Sequence, residues 1–330
     1  MRTLKMVLAA LAVFAVLTTP AFAQTYRARL AHIAADNHPW HMGAVKFAEL
    51  VNEKTDGRME IAVFPGGALG GDRDVAEAIS VGTLQMGLVS GVLGNFYPPI
   101  DVLEIGFLIE SKDHLREVIY GEIGTDIAEG MRDATGIRVL DWWERMPRLL
   151  TTNREVNRIE DLARLNIRVP EITAYLRTWE ALGANPTPIA FPELYDALRL
   201  GVVDAQENPA DLIYTTSFYE VVTNLVITNH LHNYILLLVN DDYFDGLPAD
   251  IQAAIEEAAA EATAYQNQIV TDLEADFMGR LADLMAVIEL DPAERQRMID
   301  ATATVIDAFD NVPGARELYD RVKAAGEALD

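Results

Sequence analysis

Apolar and polar positions alternate from Tyr26 to Ile33, which predicts a strand. From Pro39 to Lys54, the apolar residues Met42, Val45, Leu50 and Val51 fall at helical spacing, with Pro39 near the first turn. Met59 to Phe64 predicts a second strand, and the glycine-rich stretch Gly66 to Gly71 a turn. Asp72 is expected to cap a helix running to about Val81, and Leu84 to Val89 to form the next strand. Strands alternating with helices at this spacing predict βαβ units and a mostly parallel sheet. The same rhythm resumes after Trp142-Trp143, with short strands expected at Arg164–Val169, Thr187–Ala190 and Val202–Gln206, each followed by a helical pattern. Beyond Leu247 the composition shifts. Pro248 to Val287 is rich in Ala and Glu with long helical periodicity, and Asp291 to Asp330 reads as helical again. There is no repeat of 20–50 residues, no low-complexity tract and no Gly/Ser linker. The pattern therefore predicts two α/β lobes and a helical C-terminal portion, with a chain that crosses between the lobes more than once.

The N-terminus adds a compartment. Arg2 and Lys5 precede an uncharged apolar run, Met6 to Leu17, which Thr18, Thr19 and Pro20 break. Ala21-Phe22-Ala23 then supplies small residues at the −3 and −1 positions of a cut, so a secretory signal with cleavage between Ala23 and Gln24 is expected. Twelve apolar residues fall short of the roughly 20 that span a bilayer. The later run Tyr234–Val239, bounded by Asn233 and Asn240, is shorter still. An exported periplasmic protein is the expectation.

Composition then excludes whole classes of partner. The 330 residues are 50% hydrophobic and 23% charged, with 26 Lys plus Arg against 51 Asp plus Glu and a formal charge of −25. Removing the first 23 residues, with Arg2 and Lys5, takes that charge to −27. So anionic a surface argues against nucleic acid and against anionic membranes, because both need clustered basic residues. The chain holds no Cys, which removes disulfides, thiolate nucleophiles and Cys–zinc sites.

One local arrangement recurs three times in the second half: a strand end, a Pro and a helix start. The instances are Ile167-Arg168-Val169-Pro170-Glu171, Ile189-Ala190-Phe191-Pro192-Glu193 and Ala205-Gln206-Glu207-Asn208-Pro209. In a parallel sheet the carboxyl ends of neighbouring strands share one edge, and ligands bind in the crevice outside it. Arg168, Phe191 and Asn208 are thus expected to converge. A guanidinium offers a two-pronged donor to a carboxylate, an amide both donates and accepts, and a ring forms an apolar wall. Arg168 stands in a strand otherwise built from Leu165, Ile167 and Val169, where an unpaired charge is costly, so it needs an anion. That anion is either a ligand or a carboxylate of the chain itself.

Trp142-Trp143-Glu144-Arg145-Met146-Pro147-Arg148 lies between the two halves, where a cleft takes ligand groups from both. Arg148 is a candidate there, whereas Arg145 is expected to be solvated. Among the six His residues, His38 follows the first strand and is a candidate for lining the pocket; no metal site is expected from their spacing. No H-E-x-x-H, G-x-S-x-G or G-x-x-x-x-G-K-[ST] motif occurs, and the Gly66–Gly71 turn lacks the Lys of a phosphate loop. It is expected to aim Asp72 and Arg73 instead.

Four stretches carry a resemblance that runs over nearly the whole chain after residue 23: Phe64-Pro65-Gly66-Gly67-Ala68-Leu69-Gly70-Gly71-Asp72-Arg73, Thr151-Thr152-Asn153-Arg154, Ile167-Arg168-Val169-Pro170 and Asp204-Ala205-Gln206-Glu207-Asn208-Pro209. The chain resembles solute-binding proteins of tripartite ATP-independent periplasmic (TRAP) transporters, of the DctP type. By that resemblance Arg168 forms a salt bridge with a ligand carboxylate, Asn208 contacts the same group, and Arg148 is a second basic residue facing the ligand. Asp72, Ser90, Glu171 and Phe191 fall at variable ligand or water contacts, and Trp143 aligns with a Trp of some dicarboxylate-binding members. Sialic-acid-binding members carry an acidic residue near Ser90, so sialic acid is not the expected ligand.

The implied fold is two α/β lobes around a central cleft, with crossing strands and a long helix spanning the lobes, closing by hinge bending. Residues 24–145 plus about 234–273 are expected in lobe I, and 146–233 plus about 274–330 in lobe II. The implied function is capture of a small organic acid without any cofactor or metal, by a monomer that partners the small and large membrane subunits of a sodium-driven permease. Dicarboxylates, uronates and other sugar acids, hydroxy acids, sulfonates and zwitterions are all candidate ligands. An enzyme acting on such an acid, or a ligand-sensing receptor subunit, are the alternatives.

Overall fold

A computed structural model describes residues 25–329, so the expected signal segment and its cleavage point lie outside the described residues. Two sheets form the frame. The first has the order β2-β1-β3-β10-β4, built from β1 (Tyr26–Ala31), β2 (Met59–Phe64), β3 (Met86–Val89), β4 (Ile137–Glu144) and β10 (Tyr234–Asn240). The second has the order β11-β9-β5-β8-β6-β7, from β5 (Arg148–Thr152), β6 (Asn166–Val169), β7 (Asn185–Pro188), β8 (Ala205–Pro209), β9 (Asn224–Leu231) and β11 (Ala286–Glu289). This is the two-lobed α/β architecture that the alternation predicts. β1 pairs in parallel with β2 and β3, and β6 in parallel with β7 and β8. Every residue of β10 is buried, as expected for an unbroken apolar run covered on both faces.

The chain crosses between the sheets at three points. Arg145-Met146-Pro147 joins β4 to β5, His232-Asn233 joins β9 back to β10, and the 36-residue helix Ala249–Leu284 runs alongside both lobes. Its first half packs Ile251, Ile255, Ala258 and Ala262 against the first sheet with helix Pro39–Lys54; its second half packs Val270, Phe277 and Leu281 against the second. Gln266 and Asn267 brace the first crossing, where Gln266 Nε2 donates to the Glu144 carbonyl at 3.2 Å and the Glu144 amide donates to Asn267 Oδ1 at 2.9 Å.

Two local expectations are corrected. The N-cap of helix Asp72–Ser80 is Gly71, whose amide donates to Asp74 Oδ2 at 2.9 Å, and Asp72 is the first helical residue. Gly71 can play that part because Asp74, three residues on, supplies the acceptor. Pro170 does not start a helix; an irregular turn intervenes before Thr173–Ala181, and only Pro192 sits within a first helical turn. Helix Ala315–Glu327 packs both on Val305–Phe309 and on the first-lobe helices Lys112–Ile119 and Glu122–Thr135. Arg321 Nη2 reaches Asp126 Oδ2 at 2.7 Å, and His114 Nε2 meets the Val322 carbonyl at 2.8 Å.

Behind the first sheet, Gly91 and Gly94 press against the buried carboxyl groups of Glu104 and Asp101, and a Cβ at either glycine would overlap them. Gly94→Ala is expected to cost about 1–3 kcal/mol by overpacking. Gly279→Ala, in the long helix with no neighbour within 4 Å, is expected to stabilise by about 0.5–1 kcal/mol. Urea denaturation of both variants checks the pair, and equal effects would contradict the packing described.

Candidate functional site

The carboxyl ends of β8, β6 and β7 share one edge and face the first sheet across a narrow void. Its walls are Ile33, Trp40, Asp72, Ser90, Arg145, Arg148, Arg168, Pro170, Ile172, Tyr175, Phe191, Asn208 and Leu212. Six of the nine expected residues therefore meet around one space: Asp72, Ser90, Arg148, Arg168, Phe191 and Asn208. A wider mouth of about 780 Å³ opens beside it, lined by Arg73, Asp74, Glu171 and Glu193 among others.

The three guanidiniums are not equivalent. Arg148 and Glu207 are diagonal neighbours across the antiparallel β5–β8 pairing. Arg148 Nε and Nη2 both engage the Glu207 carboxylate, the latter at 2.7 Å, and Nη2 also donates to the Glu207 carbonyl at 2.7 Å. His230 Nε2 meets the same carboxylate at 3.0 Å, and the Arg148 guanidinium lies 5.2 Å over the Tyr175 ring. Burial alone would push the Glu207 carboxyl up; Arg148 and His230 outweigh it and hold it down to about 2. Burial likewise opposes the Arg148 charge, and Glu207 more than restores it. The chain's own carboxylate thus engages two of Arg148's three nitrogens and leaves Nη1 for the void.

Arg168 and Arg145 have no such partner. Arg168, 2% exposed, donates from Nε to the Ile189 carbonyl at 2.8 Å, and its guanidinium sits 5.9 Å over the Phe191 ring. Arg145, 4% exposed, stacks 4.7 Å over the Trp40 ring. Among the described residues no carboxylate lies within salt-bridge distance of either. Both are pulled down to about 10, first by burial. The Arg148 charge adds to this in each case; Glu207 partly offsets it for Arg168, and Tyr175 and Asp211 do so for Arg145.

The remaining groups are held in fixed orientations. Asn208 Nδ2 donates to Gln206 Oε1 at 2.5 Å, and Gln206 Nε2 donates to Thr151 Oγ1 at 2.7 Å. Ser90 Oγ donates to Asp72 Oδ2 at 2.6 Å. Tyr175 Oη donates to Glu104 Oε2 at 2.7 Å and accepts from Asn233 Nδ2 at 3.1 Å, so the second crossing and the void wall form one buried network.

Three expected residues stay out of the void. Trp143 is sealed in the core beneath Gly43, with Nε1 donating to Thr263 Oγ1 at 2.9 Å; β4 turns alternate side chains to opposite faces, and Trp143 takes the helix-covered one. Glu171 lies at the mouth, 3.8 Å from Arg73, with its carbonyl accepting from Asn95 Nδ2 at 2.8 Å. His38 is buried one layer back. Its Nδ1 accepts from the Trp40 amide at 3.0 Å, leaving Nε2 to face Asp211 Oδ2 at 3.2 Å, off the line of a full hydrogen bond. Burial raises the Asp211 carboxyl, but His38 and then Arg145 outweigh it and the net shift is downward.

Arg145, Trp40 and Tyr175 are wall residues that sequence reasoning missed as ligand candidates. Arg145 lies two residues after Trp143 and three before Arg148, and the expectation that it is solvated is corrected, since it is buried at the wall. Trp40 is two residues beyond His38. Tyr175 carries no local signal, since the irregular turn after Pro170 decides which way its helix faces.

The chain can be placed among known proteins from here. A family model described as bacterial extracellular solute-binding protein, family 7 (DctP) matches residues 30–311. A solute-binding protein of Roseobacter denitrificans is 35% identical over 285 residues, 86% of this chain and 88% of that one. A TRAP periplasmic solute-binding protein of the same organism, solved with bound L-galactonate, superposes with a TM-score of 0.84 at 32% identity, covering 91% of this chain and 99% of that one. The C4-dicarboxylate-binding periplasmic protein DctP of Rhodobacter capsulatus is 30% identical over 98% of both chains. A sugar acid-binding protein of Advenella mimigardefordensis, solved with galactonate, has a TM-score of 0.89 at 28% identity over 93% of this chain and 99% of that one.

The network behind the void has a measurable signature. Asp101 is raised to about 7, by burial first and then by the charge of Glu104. Its folded value lies above the ordinary 3.8, so the folded chain holds that proton more tightly. The stability it contributes is complete below about pH 4 and lost as the pH climbs through 7. Asp101→Asn, which cannot ionise, is therefore expected to gain on the parent between pH 5 and pH 8, by at most about 1.4 kcal/mol per unit. Urea denaturation at both pH values reads this difference, and a constant gap would refute the assignment.

Proposed function

The chain belongs to family 7 of the bacterial extracellular solute-binding proteins, the DctP family, and from that premise we propose that it captures a small carboxylic acid in the periplasm for a TRAP-type, sodium-driven permease. The observation that carries the ligand's charge is the pair of buried guanidiniums, Arg168 and Arg145, without a carboxylate of the chain. A buried charge without a counter-ion costs several kcal/mol, and a visiting anion removes that cost. Arg168 has both Nη groups available for a two-pronged bond to a carboxylate, with Nε fixed by Ile189. Asn208, oriented by Gln206 and Thr151, aligns the same group. Arg148, oriented by Glu207, presents its remaining Nη1, and Phe191 keeps water from the contact. Charge-assisted bonds contribute about 1.5–3 kcal/mol each, so two or three account for much of a micromolar affinity near −8 kcal/mol.

In the same reading, residues 1–23 are the export signal, cut after Ala23. The lobes are 24–145 with the 234–273 region and 146–233 with most of the remainder, and they hinge where the three crossings lie side by side. The protein acts as a monomer and meets both permease subunits. Catalysis finds no support at the void, where the Ser90 hydroxyl is committed to Asp72 and no imidazole lines the wall.

Arg168→Ala tests this directly. The parent is expected to gain about 2.7 kcal/mol at a ligand concentration one hundred times Kd, read as a thermal shift against galactonate, gulonate, erythronate and succinate. The variant is expected to fold, because it loses an unpaired buried charge, and to show no shift. An undiminished shift would overturn the assignment.

A further inference from the structure

Arg168, Arg148 and Asn208 all belong to the second lobe, and they leave the opposite wall of the void unexplained. There stand Asp72, first residue of helix Asp72–Ser80, and Ser90, immediately after β3. Ser90 Oγ donates to Asp72 Oδ2 at 2.6 Å, which fixes the carboxyl and uses the only proton the serine has. Asp72 Oδ1 is shielded from solvent and has no hydrogen-bond partner among the described residues. A shielded acceptor of this kind is satisfied only by a donor; the apolar wall residues Ile33, Ile172 and Leu212 bring none, and Arg145 and Arg168 act on Asp72 only through their charge.

We propose that the site takes a hydroxylated monocarboxylic acid, seated with its carboxylate on Arg168 and a hydroxyl donating to Asp72 Oδ1, and that Asp72 is the residue that turns away unsubstituted dicarboxylates. This rests on the reading of Arg168 as the carboxylate seat. The chemistry separates the two ligand classes. A hydroxyl donates one proton and accepts at its lone pairs, so it completes the Ser90–Asp72 arrangement. A second carboxylate only accepts, and would set two acceptors and two negative charges face to face in a site with little water. Arg145 could offset such a charge only in part, because Asp72 and Asp211 already lie within its field. Burial raises the Asp72 carboxyl, while the Ser90 hydroxyl and the charges of Arg145 and Arg168 act against burial and favour the ionised, accepting form.

The test compares acids matched in length, erythronate with succinate and galactonate with adipate, by calorimetric titration of the parent, Asp72→Asn and Arg168→Ala. For the parent, the hydroxy acid of a pair is expected to bind at least tenfold more tightly. In Asp72→Asn that ratio is expected to narrow by at least tenfold, by loss on the hydroxy acid and gain on the diacid, since the amide can donate to a carboxylate. Should that variant not fold, Ser90→Ala, which frees the carboxyl to turn, is expected to narrow the ratio in the same direction. Equal or reversed preference in the parent, or an unchanged ratio in the variants, overturns the proposal while leaving the carboxylate seat intact. Binding that survives in Arg168→Ala overturns the seat itself, and this inference with it.

Discussion

Three guanidiniums crowd one narrow void, and among the described residues the chain provides a bonded carboxylate for only one of them. Arg148 is neutralised by Glu207, which His230 supports from behind, so its position is fixed before any ligand arrives. Were Glu207 absent, three like charges would share one narrow space, and leaving a buried charge unpaired costs about 3–5 kcal/mol. With it present, the surplus falls on Arg168 and Arg145, and both are strained toward neutrality by burial. The site is thus a rigid half-filled ion cage rather than a greasy pocket with a charge at its rim.

That cage is assembled from both lobes, which ties affinity to closure. Asp72 and Ser90 come from the first lobe, Arg168 and Asn208 from the second, and Arg145 from the crossing between them. The lobes also touch at the mouth, where Asn95 Nδ2 donates to the Glu171 carbonyl at 2.8 Å, and Glu171 lies 3.8 Å from Arg73. Both side chains of that ion pair are substantially exposed, and exposed pairs contribute about 0–1 kcal/mol. Buried bonds such as Tyr175 Oη to Glu104 Oε2 and the Gly106 amide to Thr178 Oγ1 tie the lobes more firmly than that surface pair, and a ligand bridging Asp72 and Arg168 would add to them.

Much of this frame was legible in the residues, for reasons that differ from place to place. Helix Pro39–Lys54 and strand Met59–Phe64 lie where periodicity put them, because a proline start and an alternating apolar face are local signals. The convergence of Arg168, Phe191 and Asn208 followed from a rule about parallel strand ends rather than from any single residue. What stayed hidden was pairing across distance. Nothing near Arg148 in sequence announces Glu207, 59 residues away, and a Glu within a buried strand was itself the overlooked sign that a cation must face it. Trp143 and Arg145 were misplaced for a related reason, since one residue's step along a crossing strand moves a side chain from the core to the cleft.

The strongly negative surface poses a last physical question, because an anion must approach a chain of formal charge −25. The mouth does not relieve this: Arg73 is faced by Glu171, and Asp74 and Glu193 stand nearby. Electrostatic steering of the kind that accelerates association is therefore absent at long range. At physiological salt, charges beyond about 8 Å are screened, so repulsion fades before the ligand reaches the cleft and the guanidiniums act only at the end of the path. Long-range fields govern encounter rates more than affinity. A binding protein that works at a membrane, holding its ligand until delivery, gains more from slow release than from fast capture. Buried arginines beneath an acidic exterior supply that combination, with residence set by the void and approach left to diffusion.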